Sequence, residues 1–433
     1  MNNLHFDQID ETLYHEQLDN GLDVYILPKK GFSKTYATFT TKYGSIDNRF
    51  VPQGAEEPIS VPDGIAHFLE HKMFEKEEGD IFQQFSTQGA SANAFTSFTR
   101  TAYLFSATGQ VNENVRTLLD FVQSPYFTEK TVEKEKGIIG QEITMYDDLA
   151  DWRLYFGLIE NMYQNHPVKI DIAGTIESIS HITAEHLYTC YNTFYHPSNM
   201  VLFIVGAAEP EEMMALVRDN QAQKEFPPQQ DIKRLYPDEP VEAVIKERSL
   251  RMSVQKPKVL VGMKPIVKDL SGREMLKHEL AMQLALELLF GRTSDFYHSA
   301  YENDLIDESY SYEFSLEQGF GYAMVGSDSS EPEKLADEIA STMDRAAEMW
   351  PFGAKDLDRV RRKKIGTFLR ALNSPEYIAN QFTRYKFNDM DLFEVVPVLE
   401  DMEVTDLQEA FASISGSEQR TVFSILPSKK SSQ

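Results

Sequence analysis

The chain has 433 residues, 42% hydrophobic and 25% charged, with 42 Lys+Arg against 68 Asp+Glu and a formal net charge of −26. That length exceeds one ordinary hydrophobic core, so two or more domains are expected. The acidic balance excludes nucleic acid as a partner, because phosphate binding needs a basic surface, and it suits basic peptides instead.

The single cysteine, Cys190, excludes an intrachain disulfide framework and is expected in the core rather than in catalysis. The opening segment MNNLHFDQIDETLYHEQLD is polar and acidic, without an apolar signal core. No apolar run reaches the roughly 18 residues of a membrane span. A reducing cytoplasmic setting is expected.

In chain order, Asn20-Gly21 is a turn signal before the strand residues Val24 to Leu27. The Thr-, Tyr- and Phe-rich segment from Thr35 reads as a second strand. Gly64 to Phe74 has helical spacing, Gly89 to Tyr103 is strand-like, and Asn112 to Val122 and Glu129 to Met145 read as helices. Met200 to Gly206 is a buried strand, and the Pro-, Gln- and charge-rich stretch Glu225 to Pro240 is a linker. The pattern then begins again. Strand SVQKPKVLVGMKP precedes a helix over Glu274 to Phe290, then come strands SYSYEFSL and GYAMVGS, two helices and the strand TVFSILP. Ile139-Gly140 and Ile365-Gly366, Ile182-Thr183 and Val404-Thr405, and Phe74 and Phe290 recur at similar offsets. The expected fold is therefore α+β in two like domains, 1–226 and 241–433, joined by a linker over 227–240.

The chemistry concentrates in His67-Phe68-Leu69-Glu70-His71. At 3.6 residues per turn, positions 67, 70 and 71 share one helix face. Two imidazoles one turn apart can grip one metal ion, with a carboxylate beside them to accept a proton from metal-bound water; HxxEH is an inverted zinc-peptidase pattern. A third ligand is then needed. Glu135 and Glu142 lie two turns apart on one later helix, so that one can bind metal while the other orients an imidazole.

HFLEH followed by Glu142 in EKEKGIIGQE resembles the pitrilysin/insulinase/mitochondrial-processing-peptidase family, in particular the zinc-bearing chain of its bacterial two-chain members. The segments PDGIAHFLEHKMF, GASANAFTSFTRTAY, HPVKIDIAGTIESI, YHPSNMVLFIVG and MSVQKPKVLVGMKP extend the likeness over nearly the whole chain. The resemblance implies Zn2+ held by His67, His71 and Glu142, with Glu70 as catalytic general base and Glu135 supporting catalysis from behind the ligands. It implies an extended peptide substrate held along Asn93, Ala94 and Phe95 by strand addition. It also implies mainly antiparallel sheets packed with helices, two domains making one half-shell of a peptidase chamber. The expected activity is zinc-dependent endopeptidase hydrolysis of peptides or short unfolded segments. The alternative is a non-catalytic structural, peptide-capturing or maturation subunit of a heteromeric complex.

Two departures matter. In the second copy Gln283, Leu286, Glu287 and Phe368 stand where His67, Glu70, His71 and Glu142 stand in the first, so one active centre per chain is expected. The family's Arg and Tyr that clamp the substrate backbone are replaced by Tyr301 and Glu308. A heterodimer with a related inactive chain is therefore expected, with a homodimer as fallback. His166 and His196, each beside a proline, are expected in turns, and the basic run Arg359 to Lys364 on a solvated helix face.

Overall fold

The computed structural model describes residues 1–7, 9–77, 79–228, 230–266 and 270–428. Gln229 of the expected linker, and residues 267–269 and 429–433 of the expected second domain, lie outside the described residues.

The chain forms two compact α+β units. The first comprises Met1–Ile143, Ile170–Tyr236 and Leu369–Phe387, the second Thr144–Lys169, Pro237–Phe368 and Asn388–Gln433. The first unit is built on a seven-stranded sheet in the order Asn2–Phe6, Glu11–Gln17, Asp23–Pro28, Met200–Gly206, Thr35–Thr41, Thr101–Ala107, Ala90–Thr96. Only Asp23–Pro28 and Met200–Gly206 pair in parallel. The second has five strands in the order Glu247–Met252, Arg420–Pro427, Lys258–Met263, Phe320–Asp328, Ser311–Glu317, again with one parallel pair, Glu247–Met252 beside Arg420–Pro427. The second sheet thus repeats the last five strands of the first, position for position. The two like α+β domains expected from the repeat are the fold the chain adopts.

The core of the first unit sits on its central strands. Every residue of Thr35–Thr41 and Met200–Gly206 is buried, which β-branched and aromatic residues covered on both faces achieve. One covering helix comes from far along the chain: Phe382 of Pro375–Phe387 packs against Tyr25 and Phe203 at ring-centroid distances of 4.8 and 4.5 Å. The second unit shows the reciprocal arrangement. Helix Ala150–Met162 lies on the second sheet, with Gly157 under the Phe423 ring, where an added Cβ would come within 2.3 Å, and Asn161 Nδ2 donating to Thr421 Oγ1 at 3.1 Å. Each sheet is therefore covered by a helix drawn from the other half of the sequence. Such aromatic side chains contribute about 1.5–3 kcal/mol each on burial.

Two local readings differ from the sequence pattern. The run Gly89 to Tyr103 is a hairpin of Ala90–Thr96 and Thr101–Ala107 rather than one strand. Ser97 turns it, its N–H donating to Arg100 O at 2.8 Å and its hydroxyl accepting from the Thr99 and Arg100 amides. Linker residues as far as Tyr236 also pack on the first unit. Val51 N donates to Lys233 O, Leu235 N donates to Arg49 O, and the buried Asp47 carboxylate accepts from Arg234 Nε at 3.0 Å and Tyr236 OH at 2.6 Å. Among the described residues no helix is long and apolar enough to cross a membrane.

Candidate metal centre

The helix carrying the motif is Ile65–Phe74, and its start is fixed by glycine contacts. Gly64 has φ +87°, a conformation that favours glycine. A Cβ there would lie 2.4 Å from Ala173 O. Gly174 answers from the other side with φ +72°, where a Cβ would lie 2.6 Å from Asp63 O. Ser178 Oγ donates to the same Asp63 carbonyl at 2.9 Å. The segments PDGIAHFLEH and AGTIESI are thus the two sides of one backbone contact, which sets where the helix begins.

One turn apart, the His67 and His71 rings lie 4.6 Å centroid to centroid. The Glu129–Asp148 helix brings both of its carboxylates to them. Glu142 places its oxygens 3.8 Å from His67 Nε2 and 3.5 Å from His71 Nε2. Glu135 accepts from His71 Nδ1 at 3.1 Å on the far side of the ring. With the His71 proton held on Nδ1, its Nε2 is an acceptor facing another acceptor. Two acceptors so placed repel unless a proton on Nε2 or a metal ion lies between them. Among the described residues His67, His71 and Glu142 are the group whose ligand atoms converge, all within 4.8 Å of one another. Tetrahedral zinc with N/O ligands separates its donors by about 3.3 Å, so the donor set fits a divalent ion with little adjustment.

The electrostatics set the two imidazoles apart. Burial, aided by the charge of His71, pushes His67 down to about 4, so at neutral pH it is the neutral imidazole that binds metals. For His71 burial acts downward, but the Glu135 bond and the charges of Glu70, Glu142 and Glu135 raise it overall. Burial raises Glu135 less than its bond to His71 and the charges of Lys72 and Lys134 lower it. Glu70 is buried beside the cluster, and desolvation raises its carboxyl above the ordinary value despite a 2.6 Å hydrogen bond from Thr96 Oγ1.

Thr96 is the residue that sequence reasoning missed. No spacing connects positions 70 and 96. It reaches Glu70 because the hairpin register sets Thr96 opposite Thr101 on the strand nearest the motif helix. Asn93, Ala94 and Phe95 sit on that strand, Ala90–Thr96, opposite Leu104, Tyr103 and Ala102. The strand is the terminal one of its sheet, and Asn93 Oδ1 accepts from the Ala94 amide at 2.9 Å.

Other singled-out residues lie elsewhere. In the second unit Leu286 and Phe368 are buried, Gln283 donates to Glu279 at 3.2 Å, and Glu287 accepts from Lys363 and Tyr312, each at 2.6 Å. Tyr301 and Glu308 are exposed. In the basic run Arg359, Arg362 and Lys363 are exposed, as expected of a solvated face, with Lys363 paired to Glu287, while Lys364 is half-buried. His166 Nδ1 accepts from Val168 N, and His196 lies within hydrogen-bonding distance of Ser198 and Pro227 O, both in turns. Cys190 is fully buried, and burial pushes its thiol up to about 12.

Residues 54–176 match the family model described as "Insulinase (Peptidase family M16)", and residues 181–364 match "Peptidase M16 inactive domain". The chain is 61% identical over 424 residues to the uncharacterized zinc protease YmfH of Bacillus subtilis, covering 98% of this chain and 99% of that one. It is 29% identical over 210 residues to the putative zinc protease AlbF of Bacillus subtilis, covering 48% and 49%. A solved putative M16-like peptidase from Alicyclobacillus acidocaldarius shares the fold with TM-score 0.93 and 40% identity, over 96% of this chain and 99% of that one. Pitrilysin, 14% identical, shows the same fold at TM-score 0.74, over 99% of this chain and 46% of that one. Family models, full-length likeness and fold agree: the chain belongs to peptidase family M16, the pitrilysin/insulinase family.

Proposed function

We propose that the chain is a zinc-dependent endopeptidase that hydrolyses peptides or short unfolded segments. The observation that carries this reading is the convergence of His67, His71 and Glu142 with Glu70 beside them. In this reading those three side chains hold the ion, and Glu135 orients His71 through its Nδ1 proton. When bound, the ion supplies Lewis-acid polarisation and acidifies water. Glu70 takes a proton from the attacking water and returns it to the leaving amine. Its raised carboxyl suits it to both transfers, and the Thr96 hydroxyl holds it in place. The terminal strand at Asn93, Ala94 and Phe95 offers backbone groups for an extended substrate.

The reading includes a partner. Segment 301–308 carries no arginine, so the backbone clamp is supplied by a related chain in a heterodimer, with a homodimer as the second choice. That one chain spans 46% of pitrilysin supports a pairing of two such chains. The lone buried cysteine is in keeping with the cytoplasm.

The test measures metal by mass spectrometry and peptide hydrolysis, with and without a candidate partner. Expected are about one zinc per chain, loss of zinc in His71→Ala, and loss of turnover with retained zinc in Glu70→Gln. A chain that takes up no zinc when offered it, and cleaves nothing with its partner, is a structural or peptide-capturing subunit instead.

A further inference from the structure

The two sheets share five strand positions but differ in what lies beyond them. In the first unit the antiparallel strand Glu11–Gln17 covers the outer edge of Asp23–Pro28, and Asn2–Phe6 lies beyond it. The counterpart of Asp23–Pro28 in the second unit is Glu247–Met252. It too runs parallel to its inner neighbour, Arg420–Pro427, yet among the described residues no strand lies beyond it. The amides of Val422 and Ser428 donate to Lys246 O at 2.9 Å and to Met252 O at 2.8 Å. Backbone direction alternates along a strand, so residues 246, 248, 250 and 252 face Arg420–Pro427. Glu247, Ser249 and Arg251 therefore turn their N–H and C=O groups outward, and all three residues are exposed.

An open edge is a template for another strand, and charged side chains commonly block it. Here the charges are spaced to match a second copy of the same strand. In an antiparallel pairing with its two-fold axis at Ser249, Ser249 meets itself and Glu247 meets Arg251, twice. That register sets all three outward residues opposite outward residues, for about six backbone hydrogen bonds. Moving the axis to residue 248 or 250 keeps only two of the three and parts Glu247 from Arg251. The side chains agree. Arg248 lies over the Phe423 ring and bonds Glu160 of helix Ala150–Met162, so alternation sends Glu247, Ser249 and Arg251 to the opposite face. Glu247 has no ion pair among the described residues, and Arg251 donates to the Pro427 carbonyl at 2.9 Å. Leu250, 36% exposed, falls opposite the aliphatic stem of Arg248 of the second copy.

We propose that Glu247–Met252 is an interface between two copies of this chain, joining their five-stranded sheets into one continuous sheet. The second copy covers this edge as Glu11–Gln17 covers the matching edge of the first sheet. The interface stands on strand geometry and charge and does not depend on the proposed activity. A short edge pairing buries less than a standard interface, so the dimer is weak, with a Kd of roughly micromolar order. Any other occupant, the chain's own residues 429–433 or a strand of a different protein, leaves the isolated chain monomeric.

Sedimentation velocity on the full chain alone, from about 1 to about 100 µM, reads the association. Expected is a concentration-dependent dimer. Ser249→Pro should weaken it about tenfold or more, because it removes an outward amide and none of the bonds to Arg420–Pro427. Arg251→Glu sets like charges opposite each other twice and should weaken it roughly fivefold or more. Adding Glu247→Arg to Arg251→Glu restores unlike pairs and should bring the Kd back to within about threefold of the parent. This charge exchange decides the matter if Ser249→Pro does not fold. A monomer at every concentration, a dimer that Ser249→Pro or Arg251→Glu leaves unchanged, or a loss that the exchange does not restore overturns the interface. A dimer indifferent to all three variants would be the pairing that supplies the backbone clamp instead. A chain without zinc or turnover that still dimerises as described would sink the peptidase reading and leave this one standing.

Discussion

Gly64→Ala changes one hydrogen to a methyl three residues before His67. At φ +87° a non-glycine residue costs about 1–2 kcal/mol. The new Cβ would also stand 2.4 Å from Ala173 O and 2.9 Å from Ala173 C, both rigid backbone. Relieving that overlap costs about 1–3 kcal/mol more. The sum, about 2–5 kcal/mol, corresponds to a fall of roughly 4–20 °C in Tm for a unit of this size. The helix start must also move off Ala173, carrying His67 away from Glu142, so zinc affinity should fall by about tenfold or more. Differential scanning calorimetry and competition with a zinc chelator read the two effects. Gly137→Ala is the control: exposed, in the helix that carries Glu142, with nothing within 4 Å of its added Cβ. It should stabilise by up to about 1 kcal/mol. A Gly64→Ala chain melting within about 2 °C of the parent, with unchanged zinc affinity, would refute the locked helix start.

Glu135→Gln weakens the acceptor that fixes the His71 proton, and should reduce zinc affinity or kcat by about 10- to 100-fold; unchanged values in chelator competition and peptide hydrolysis would remove its orienting role. Thr96→Val deletes the donor to Glu70 and should lower kcat about tenfold with zinc content intact, checked by parallel metal analysis and hydrolysis. His166 is buried, and burial depresses it to about 4. The unfolded chain takes up this proton below about pH 6.5 and the folded chain does not. Stability is therefore untouched by this group above that pH, falls by up to about 3 kcal/mol between pH 6.5 and 4, and levels off below. Urea titrations across that window should lose this component in His166→Asn; an unaltered pH dependence would show that His166 titrates normally.

The pairing of His67, Glu70 and His71 was legible because it is local: helix periodicity alone puts them on one face, and their chemistry suits a divalent metal. The same reasoning narrowed the third ligand to two carboxylates seven residues apart but could not order them. Glu142 faces the Nε2 atoms and Glu135 the Nδ1 atom of His71 because of where one helix crosses another. The repeat was legible too, because each copy spells out similar strands and helices in the same order. Other features were not. Thr96 comes to Glu70 by strand register, Gly64 needs Gly174 because two distant backbone segments touch, and Lys364 lines a cavity although its basic run reads as a solvated face.

The sequence by itself determined the elements, their repetition and the motif, since propensity, periodicity and ligand chemistry act over a few residues. Only the tertiary structure decided that helix Pro375–Phe387 belongs to the first unit and helix Ala150–Met162 to the second. An apolar helix face specifies that it must be covered but not by which sheet. That choice is made by the packing of Phe382 on Tyr25 and Phe203, and of Gly157 beneath Phe423, between residues far apart in the chain.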